Sequence, residues 1–517
     1  MKILNKITRV CTIIPPSGFL LDDRVFMTLG ILKVARVIQT LYPVDNLDLS
    51  GIVDFVQAVR DYVATHETEV YCITATTPQL PPVVQIISAI RELAPNARII
   101  LGGPHVTLSH AAQLGEQKRG VVSRAHVALD ELQKLADVLV AGDGEKTIKL
   151  ALQESPDRLI NGDDPKTDLF LTEEELKNDV WPLRELLDAK SYRYFVDGLP
   201  ALSIVSQLGC PFGCGFCGGR RSPSLRRKRS RGAANVVLEM EHMYRTYGNR
   251  GFMFYDDELN VDKQQIGELM RAIIDLQKRL GVQFRLRGFV KSQLFTDEQA
   301  ALMYEAGFRI VLIGFESGSD LMLKLMNKQA TRADNTRCME IAARHGLKVK
   351  ALMSLGHPGE SKDTAMETRD WLLQVKPNDF DITVITVYPG TPYHDDSVPH
   401  PTLENIWVYE TKGYKLYSKG LNFQETANFY KGHPGEYSAY VFTDFLQPKD
   451  IVQLRDSIEA EVRDKLGILY PTSAAALRYE HSMGQGRLPP HILQSADKVQ
   501  PLPLPISRLS LPVLSGT

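Results

Sequence analysis

Two long stretches of the chain alternate short apolar runs with segments whose apolar positions recur at the helical period. In the first 150 residues the short runs are "KITRVCTII", "VDNLDLS", "EVYCITAT", "NARIILGG" and "ADVLVAG", rich in Val, Ile and Leu. Between them, "RVFMTLGILKVARVIQTLY", "IVDFVQAVRDYVATH" and "PPVVQIISAIRELAP" carry the helical spacing. This rhythm predicts βαβ units, with a parallel sheet buried under helices and ligands held beyond the carboxyl ends of the strands. Those ends read "PPSGFLLDD", "TATTPQ", "GGPHVT" and "GDGE", turns that let backbone approach a ligand closely.

The alternation returns between about 200 and 390, with strand candidates "ALSIVSQL", "GFMFYDD", "VQFRLRGF", "FRIVLIGFESG", "LKVKALMSLGHPG" and "DITVITVYPGTP". Amphipathic segments such as "NVVLEMEHMYRTYG" and "QIGELMRAIIDLQKRLG" separate them. Six strands with crossover helices predict a partial or full parallel barrel whose chemistry lies at the strand C-termini. The expected organisation is an α/β domain over 1–150, a polar linker over 151–200, a barrel over 201–394 and an α-rich or mixed unit over 395–495. That last unit is dense in aromatics (Trp407, Tyr414, Tyr417, Phe423, Tyr430, Tyr437, Tyr440), which suit either a lid over the barrel mouth or a small packed core. The Pro-rich end, 496–517, is expected to be disordered.

Composition narrows the function classes. With 60 basic and 62 acidic residues, no overall charge recruits nucleic acid or an anionic membrane. No apolar run is long enough to span a bilayer, and the opening "MKILNKITRVCTIIPPSG" reads as a buried first strand rather than a signal peptide. Six scattered cysteines (Cys11, Cys72, Cys210, Cys214, Cys217, Cys338) do not make a disulfide framework, so a reducing cytoplasm is expected. The basic run "RRSPSLRRKRSR" could mark a nucleic-acid surface, but next to the cysteines we read it as a loop whose arginines fix anionic groups.

Three of those cysteines fall in "GCPFGCGFCGGRR", directly after a predicted strand, with Gly209, Gly213 and Gly215 letting the chain curl. Structural zinc wants four ligands, and no further Cys or His lies near in sequence. A cubane iron–sulfur cluster also takes four thiolates, so three would leave one iron open to an outside ligand.

The C-x3-C-x2-C spacing at Cys210, Cys214 and Cys217, with Phe216 before the last cysteine, resembles the radical S-adenosylmethionine (SAM) superfamily. The resemblance implies a [4Fe–4S] cluster whose open iron chelates SAM, and whose electron cleaves it to a 5′-deoxyadenosyl radical. It implies an external reductant, such as flavodoxin or ferredoxin, and a small-molecule substrate. It also casts Asp256, Asp257 and Glu258 of "FYDDE" as contacts for the SAM amino group, and Arg287 as a partner for its carboxylate. Glu316 and Ser317 of "GFESGS" become ribose contacts, and "LGHPGE" the adenine-side segment. Read without the resemblance, these carboxylates and serines are first of all helix caps.

The first 150 residues resemble the flavodoxin-like cobalamin-binding domain fused to many radical SAM enzymes. This implies a corrin over the sheet edge, near Ser17, Thr76, Gly102, Gly103 and His105. The D-x-H-x-x-G motif that supplies a cobalt ligand in mutases is missing, since "DLSG" carries no histidine. His105, next to Pro104 in a turn, is read as a backbone or phosphate neighbour rather than an axial ligand. The implied function is a cobalamin-dependent C-methyltransferase resembling class B enzymes. Rivals are a cyclase or rearrangement enzyme, a transfer-RNA methylthiotransferase and a non-catalytic cobalamin sensor. The methylthiotransferase reading lacks its second cysteine triad, because only Cys11 and Cys72 lie in the first domain. No catalytic acid or base is singled out.

Overall fold

Strands β1 (Val10–Ile14), β2 (Val44–Asp48), β3 (Val70–Thr74), β4 (Arg98–Gly102) and β5 (Val138–Gly142) form where the five short apolar runs predicted them. The computed structural model describes residues 7–17, 23–121, 123–192, 194–427 and 438–468. The tail expected to be disordered, and Tyr430 and Tyr437, lie outside these residues.

A sixth strand, β6 (Leu159–Gly162), comes from the stretch read as a polar linker and completes an all-parallel sheet of order β2-β1-β3-β4-β5-β6. Its burial alternates along only four residues, so no apolar run advertised it. Chain order reverses between β1 and β3, which opens a crevice beyond their carboxyl ends. Helices cover both faces. Ile99 and Leu101 pack under Phe55–Thr65, Leu80–Leu93 and Arg124–Leu135, while Ile100 faces the opposite layer with Leu29–Gln39. Helix Pro104–Lys118 was not foreseen, because His105 through Ala112 are all buried and leave no polar stripe for periodicity to find.

The second sheet has order β15-β14-β13-β12-β11-β8-β7. Strands β8 (Leu199–Ile204), β11 (Gly251–Phe254), β12 (Arg285–Phe289), β13 (Phe308–Glu316), β14 (Lys348–Leu355) and β15 (Asp379–Val384) run parallel, all at the six predicted places. The sheet curls without closing, so the result is a half-barrel. Strand β7 (Tyr194–Val196), also from the presumed linker, pairs antiparallel with β8 and covers one edge. The other edge is covered by helix Pro448–Leu466, whose Arg463 reaches Asp379 at 3.1 Å.

A short ribbon of β9 (Gln207–Leu208) and β10 (Arg229–Ser230) closes the base of the cysteine loop. The aromatic-rich region supplies the antiparallel strands β16 (Val398–Pro399), β17 (Ile406–Thr411), β18 (Tyr414–Lys419) and β19 (Val441–Thr443). Among the described residues no helix is long and apolar enough to cross a membrane.

Candidate active site

The cysteine loop leaves the carboxyl end of β8 and is fixed from both sides. Asp256, at the end of β11, accepts hydrogen bonds from the Ser206 and Gln207 amides at 3.0 and 2.6 Å and from the Ser206 hydroxyl at 2.5 Å. Burial pushes its carboxyl up to about 6. Asp256 therefore aims the loop rather than facing open space. At the far end Asp163, just past β6, accepts from the Ser224 amide at 2.7 Å and the Ser222 hydroxyl at 2.8 Å, tying the loop to the first sheet. Gly209 has φ +81°, and a Cβ there would sit 2.2 Å from the Arg227 carbonyl oxygen, so only glycine makes this turn.

Within the loop, Cys214 is buried, Cys210 half-buried and Cys217 exposed. The Cys210 thiol is pushed up to about 11, first by burial and then by the negative neighbours Glu258, Asp257 and Cys214. The Cys217 thiol is likewise raised, by desolvation of the sulfur and then by Cys214, Asp257 and Cys210. The three sulfurs thus lie within electrostatic reach of one another. Among the described residues no three His, Cys, Asp or Glu side chains crowd around a single-ion position. A cluster that binds each thiolate through a different iron does not require that crowding, and the soft, all-sulfur donor set suits iron–sulfur chemistry. The other three cysteines are buried in strands and a helix, where burial raises each thiol, Cys72 to about 12.

Two lysines missed by the sequence reading stand over the loop. Lys291 Nζ lies 4.4 Å from the Phe212 ring centroid, and its ammonium is held below its usual range by burial and by Lys328. Lys328 pairs with Glu316 Oε1 at 3.0 Å. The neighbouring carboxylates differ in their freedom. Glu258 is pushed up to about 7 by burial, and its Oε2 has no hydrogen-bond partner. Asp257 is exposed. Neither caps the next helix, whose N-cap is Asp262.

Glu316 sits at a register shift between β13 and β14 with φ +66°, a costly conformation for a side-chain-bearing residue. Its carboxylate is held against burial by Lys328 and by the Ser354 hydroxyl at 2.9 Å, which keep it below the usual range. From Ser354 the chain of polar contacts continues to His357 Nε2 at 2.8 Å and from His357 Nδ1 to Tyr393 Oη at 3.2 Å. Tyr393 returns to the cysteine loop, where its amide donates to the Gly215 carbonyl at 3.1 Å. Phe216 lies edge-on to His357, with centroids 5.1 Å apart. Ser317 instead turns inward to Thr368 at 3.0 Å.

The basic run serves the fold. Arg229 binds Asp143, Arg231 binds Glu239, Lys228 reaches Asp262 at 3.0 Å and Arg226 donates to the Phe212 carbonyl at 2.9 Å. These side chains find protein carboxylates and carbonyls, whereas Arg220 Nη1 is buried without a hydrogen-bond partner among the described residues.

Opposite the loop, a cavity of about 460 Å³ lies over the carboxyl edge of the first sheet. Ser17, Thr76, Gly102 and Gly103 line it from one side, and Val205, Leu208 and Leu225 of the second half from the other. Gly103 has φ +96°, and a Cβ there would fall 2.6 Å from Thr74 Oγ1 and 2.8 Å from the Ala75 nitrogen. The turn therefore packs its backbone directly against the end of β3, beside the cavity. His105 does not line it: its ring is buried, with Nδ1 2.9 Å from Thr77 Oγ1 and Nε2 3.4 Å from Ser109 Oγ. Burial pushes its imidazole down to about 3.

A cysteine triad at the end of the first parallel strand, with charged groups from the next strand ends around it, is an arrangement shared with known proteins. Residues 204–372 match the radical SAM superfamily. This chain carries a radical SAM domain. Such a domain makes the chain an enzyme and implies a [4Fe–4S] cluster and SAM. An uncharacterized methyltransferase of Pyrococcus horikoshii is 24% identical over 75% of this chain and 82% of its own length. The anaerobic magnesium-protoporphyrin IX monomethyl ester cyclase of Cereibacter sphaeroides is 23% identical, and the match spans 65% of this chain but only 56% of the cyclase. Among solved structures, the radical SAM methyltransferase TsrM of Kitasatospora setae, with cobalamin and a [4Fe–4S] cluster bound, superposes with TM-score 0.59 at 17% identity over 89% of each chain. The fold is therefore shared along most of the molecule.

Proposed function

We propose that this protein is a cobalamin-dependent radical SAM methyltransferase acting on a carbon of a small molecule. The observation that carries the reading is the placement of the cysteine loop and the first-sheet cavity. Val205 and Leu208, on the approach to Cys210, are walls of the same space as Thr76, Gly102 and Gly103. Cys210, Cys214 and Cys217 would hold the cluster, and the glycine turns would admit a corrin. When bound, these groups supply reductive cleavage of SAM and a methyl carrier.

The chain's own residues bind and orient. Asp256 fixes the direction of the loop, and Lys291 and Lys328 provide positive charge beside it, fitting a carboxylate brought to an open iron. Glu258, with its unpartnered oxygen, is suited to accept from an ammonium. Glu316, left-handed and clamped by Lys328 and Ser354, presents its carboxylate for hydroxyl groups. With both ring nitrogens of His105 engaged inside the protein, that turn would offer a bound corrin no histidine ligand.

Similarity to the Cereibacter cyclase favours a second reading, cyclisation of the substrate. Anaerobic reconstitution with iron, sulfide and cobalamin, followed by reductant, SAM and candidate acceptors, separates them. Methyl transfer yields S-adenosylhomocysteine and a product heavier by one methylene. Cyclisation yields 5′-deoxyadenosine without S-adenosylhomocysteine. Formation of neither product overturns both.

A further inference from the structure

On the inner face of the half-barrel, residues paired across adjacent strands form a row of Ser203, Met253, Arg287 and Ile310. Arg287 is fully buried, and none of its three guanidinium nitrogens has a hydrogen-bond partner. Four aromatic rings surround it, with its Cζ 4.7 Å from the centroid of Tyr194, 5.7 Å from Phe26 and Tyr255, and 5.9 Å from Phe289. Ring faces attract a cation but satisfy none of its five N–H donors. A buried, unpaired charge is among the costliest features a fold can carry. Two hydroxyl oxygens beside it, Ser203 Oγ and Tyr255 Oη, are also buried and, among the described residues, make no close hydrogen bond; Tyr255 reaches only loosely toward Arg287 and Ser203. Three polar groups thus converge on one point with no carboxylate paired to the guanidinium among the described residues, although Phe26, Tyr255 and Phe289 remain only half-buried.

The family resemblance casts Arg287 as a partner for the SAM carboxylate; its aromatic surroundings favour a different ligand. Arg287 lies four residues before Lys291, up to about 13 Å along an extended chain. The lysines coupled to the loop cysteines are Lys291 and Lys328. Phe26, in contrast, is a wall of both the arginine cage and the first-sheet cavity.

We propose that Arg287, with Ser203 and Tyr255, is the subsite that binds a carboxylate of the substrate, so that the enzyme selects small carboxylic acids with an apolar or aromatic body. This deepens the methyltransferase reading and rests on it for the word substrate. Arg287 donates a forked pair of hydrogen bonds to the carboxylate, the two hydroxyls donate to its outer lone pairs, and the rings hold the apolar body.

Isothermal titration of the full-length protein tests this, using benzoate as the probe and benzamide as its neutral counterpart. Benzoate is expected to bind at least tenfold more tightly than benzamide, and Arg287→Met to remove that preference. Arg287→Met is expected to melt at or above the wild-type temperature, because an apolar residue replaces an unpaired charge. Equal binding of the two probes, no saturable benzoate binding, or a preference surviving in Arg287→Met overturns the proposal. A melting temperature lowered by several degrees in Arg287→Met also overturns it, since the guanidinium would then be part of the packing. These readouts need neither cluster nor corrin. Failure to load those cofactors would sink the methyltransferase reading and leave the carboxylate result standing.

Discussion

At the carboxyl edge of the first sheet, the cavity is walled by glycine backbone, hydroxyl and aliphatic side chains, and charged groups already paired within the protein, such as Lys33 with Glu145 and Arg231 with Glu239. At the carboxyl edge of the second, the cysteine loop is ringed by Lys291, Lys328, Glu258 and Glu316. The first region offers backbone and charges that satisfy one another; the second leaves charge, such as Glu258 Oε2, without a partner among the described residues. Damage should therefore spread differently. In the first region the sensitive positions are those where any added atom collides, and in the second those where a specific donor or cation is lost.

The largest expected effect breaks the two regions apart. Cys214→Ala should abolish the broad iron–sulfur absorbance after reconstitution, together with 5′-deoxyadenosine formation, and leave corrin uptake intact. Gly103→Ala should do the reverse. Its new Cβ meets backbone of Ala75 at 2.8 and 2.9 Å and forces a left-handed residue, costing roughly 1–3 kcal/mol and at least about tenfold in corrin affinity. The iron–sulfur spectrum should persist. If each variant loses both signals, the two regions are not separate binding sites.

The same contrast decided what could be read before the structure was known. Strand positions were legible because burial on both faces leaves continuous apolar runs, and the cysteine triad because its ligands are local in sequence. Thr76, Gly102 and Gly103 were legible as strand-end turns. His357 lay within the singled-out segment "LGHPGE", but Lys328 and Tyr393 were not legible, because their roles depend on contacts spanning 12 to 36 residues, such as Lys328 to Glu316 and Tyr393 to His357. His105 looked like a cavity residue from its place in the turn. The helix that begins at Pro104 instead rotates it into the core, and only side-chain direction along that helix could have said so. Asp256 was placed at the right strand end, but its partners Ser206 and Gln207 lie 50 and 49 residues away.

A titration sharpens the comparison in the first region. His105 is held near about 3 by burial, whereas in the unfolded chain histidine titrates at about 6.5. Between those values the unfolded state binds the extra proton, so stability rises with pH across the window and falls on acidification. From about pH 7 to about pH 5 this one group should cost about 2 kcal/mol. By denaturant titration, the unfolding free energy of wild type should fall between the two pH values by about 2 kcal/mol more than that of His105→Gln. An equal fall in both would mean that His105 takes up its proton in place.

The smallest effect concerns how electrons enter. Beside the cysteine loop a crevice of about 440 Å³ is lined by Gly213, Gly215, Arg220, Lys324 and Lys412, none of which lines the first-sheet cavity. Gly213 and Gly215 flank Cys214, and Arg220 feels the charge of that cysteine directly. Lys324 and Lys412 are exposed at the rim, where they are free to attract an acidic electron carrier without holding the fold. Rim charges act mainly on the association rate and are screened over about 8 Å at physiological salt. Lys324→Glu should therefore slow reduction of the loaded cluster by flavodoxin a few-fold at low ionic strength and very little at high salt. Reduction by dithionite, which needs no docking surface, should be unchanged. A variant slowed equally with both reductants would place the defect in the cluster loop, and one slowed with neither would mean that the carrier approaches by another face.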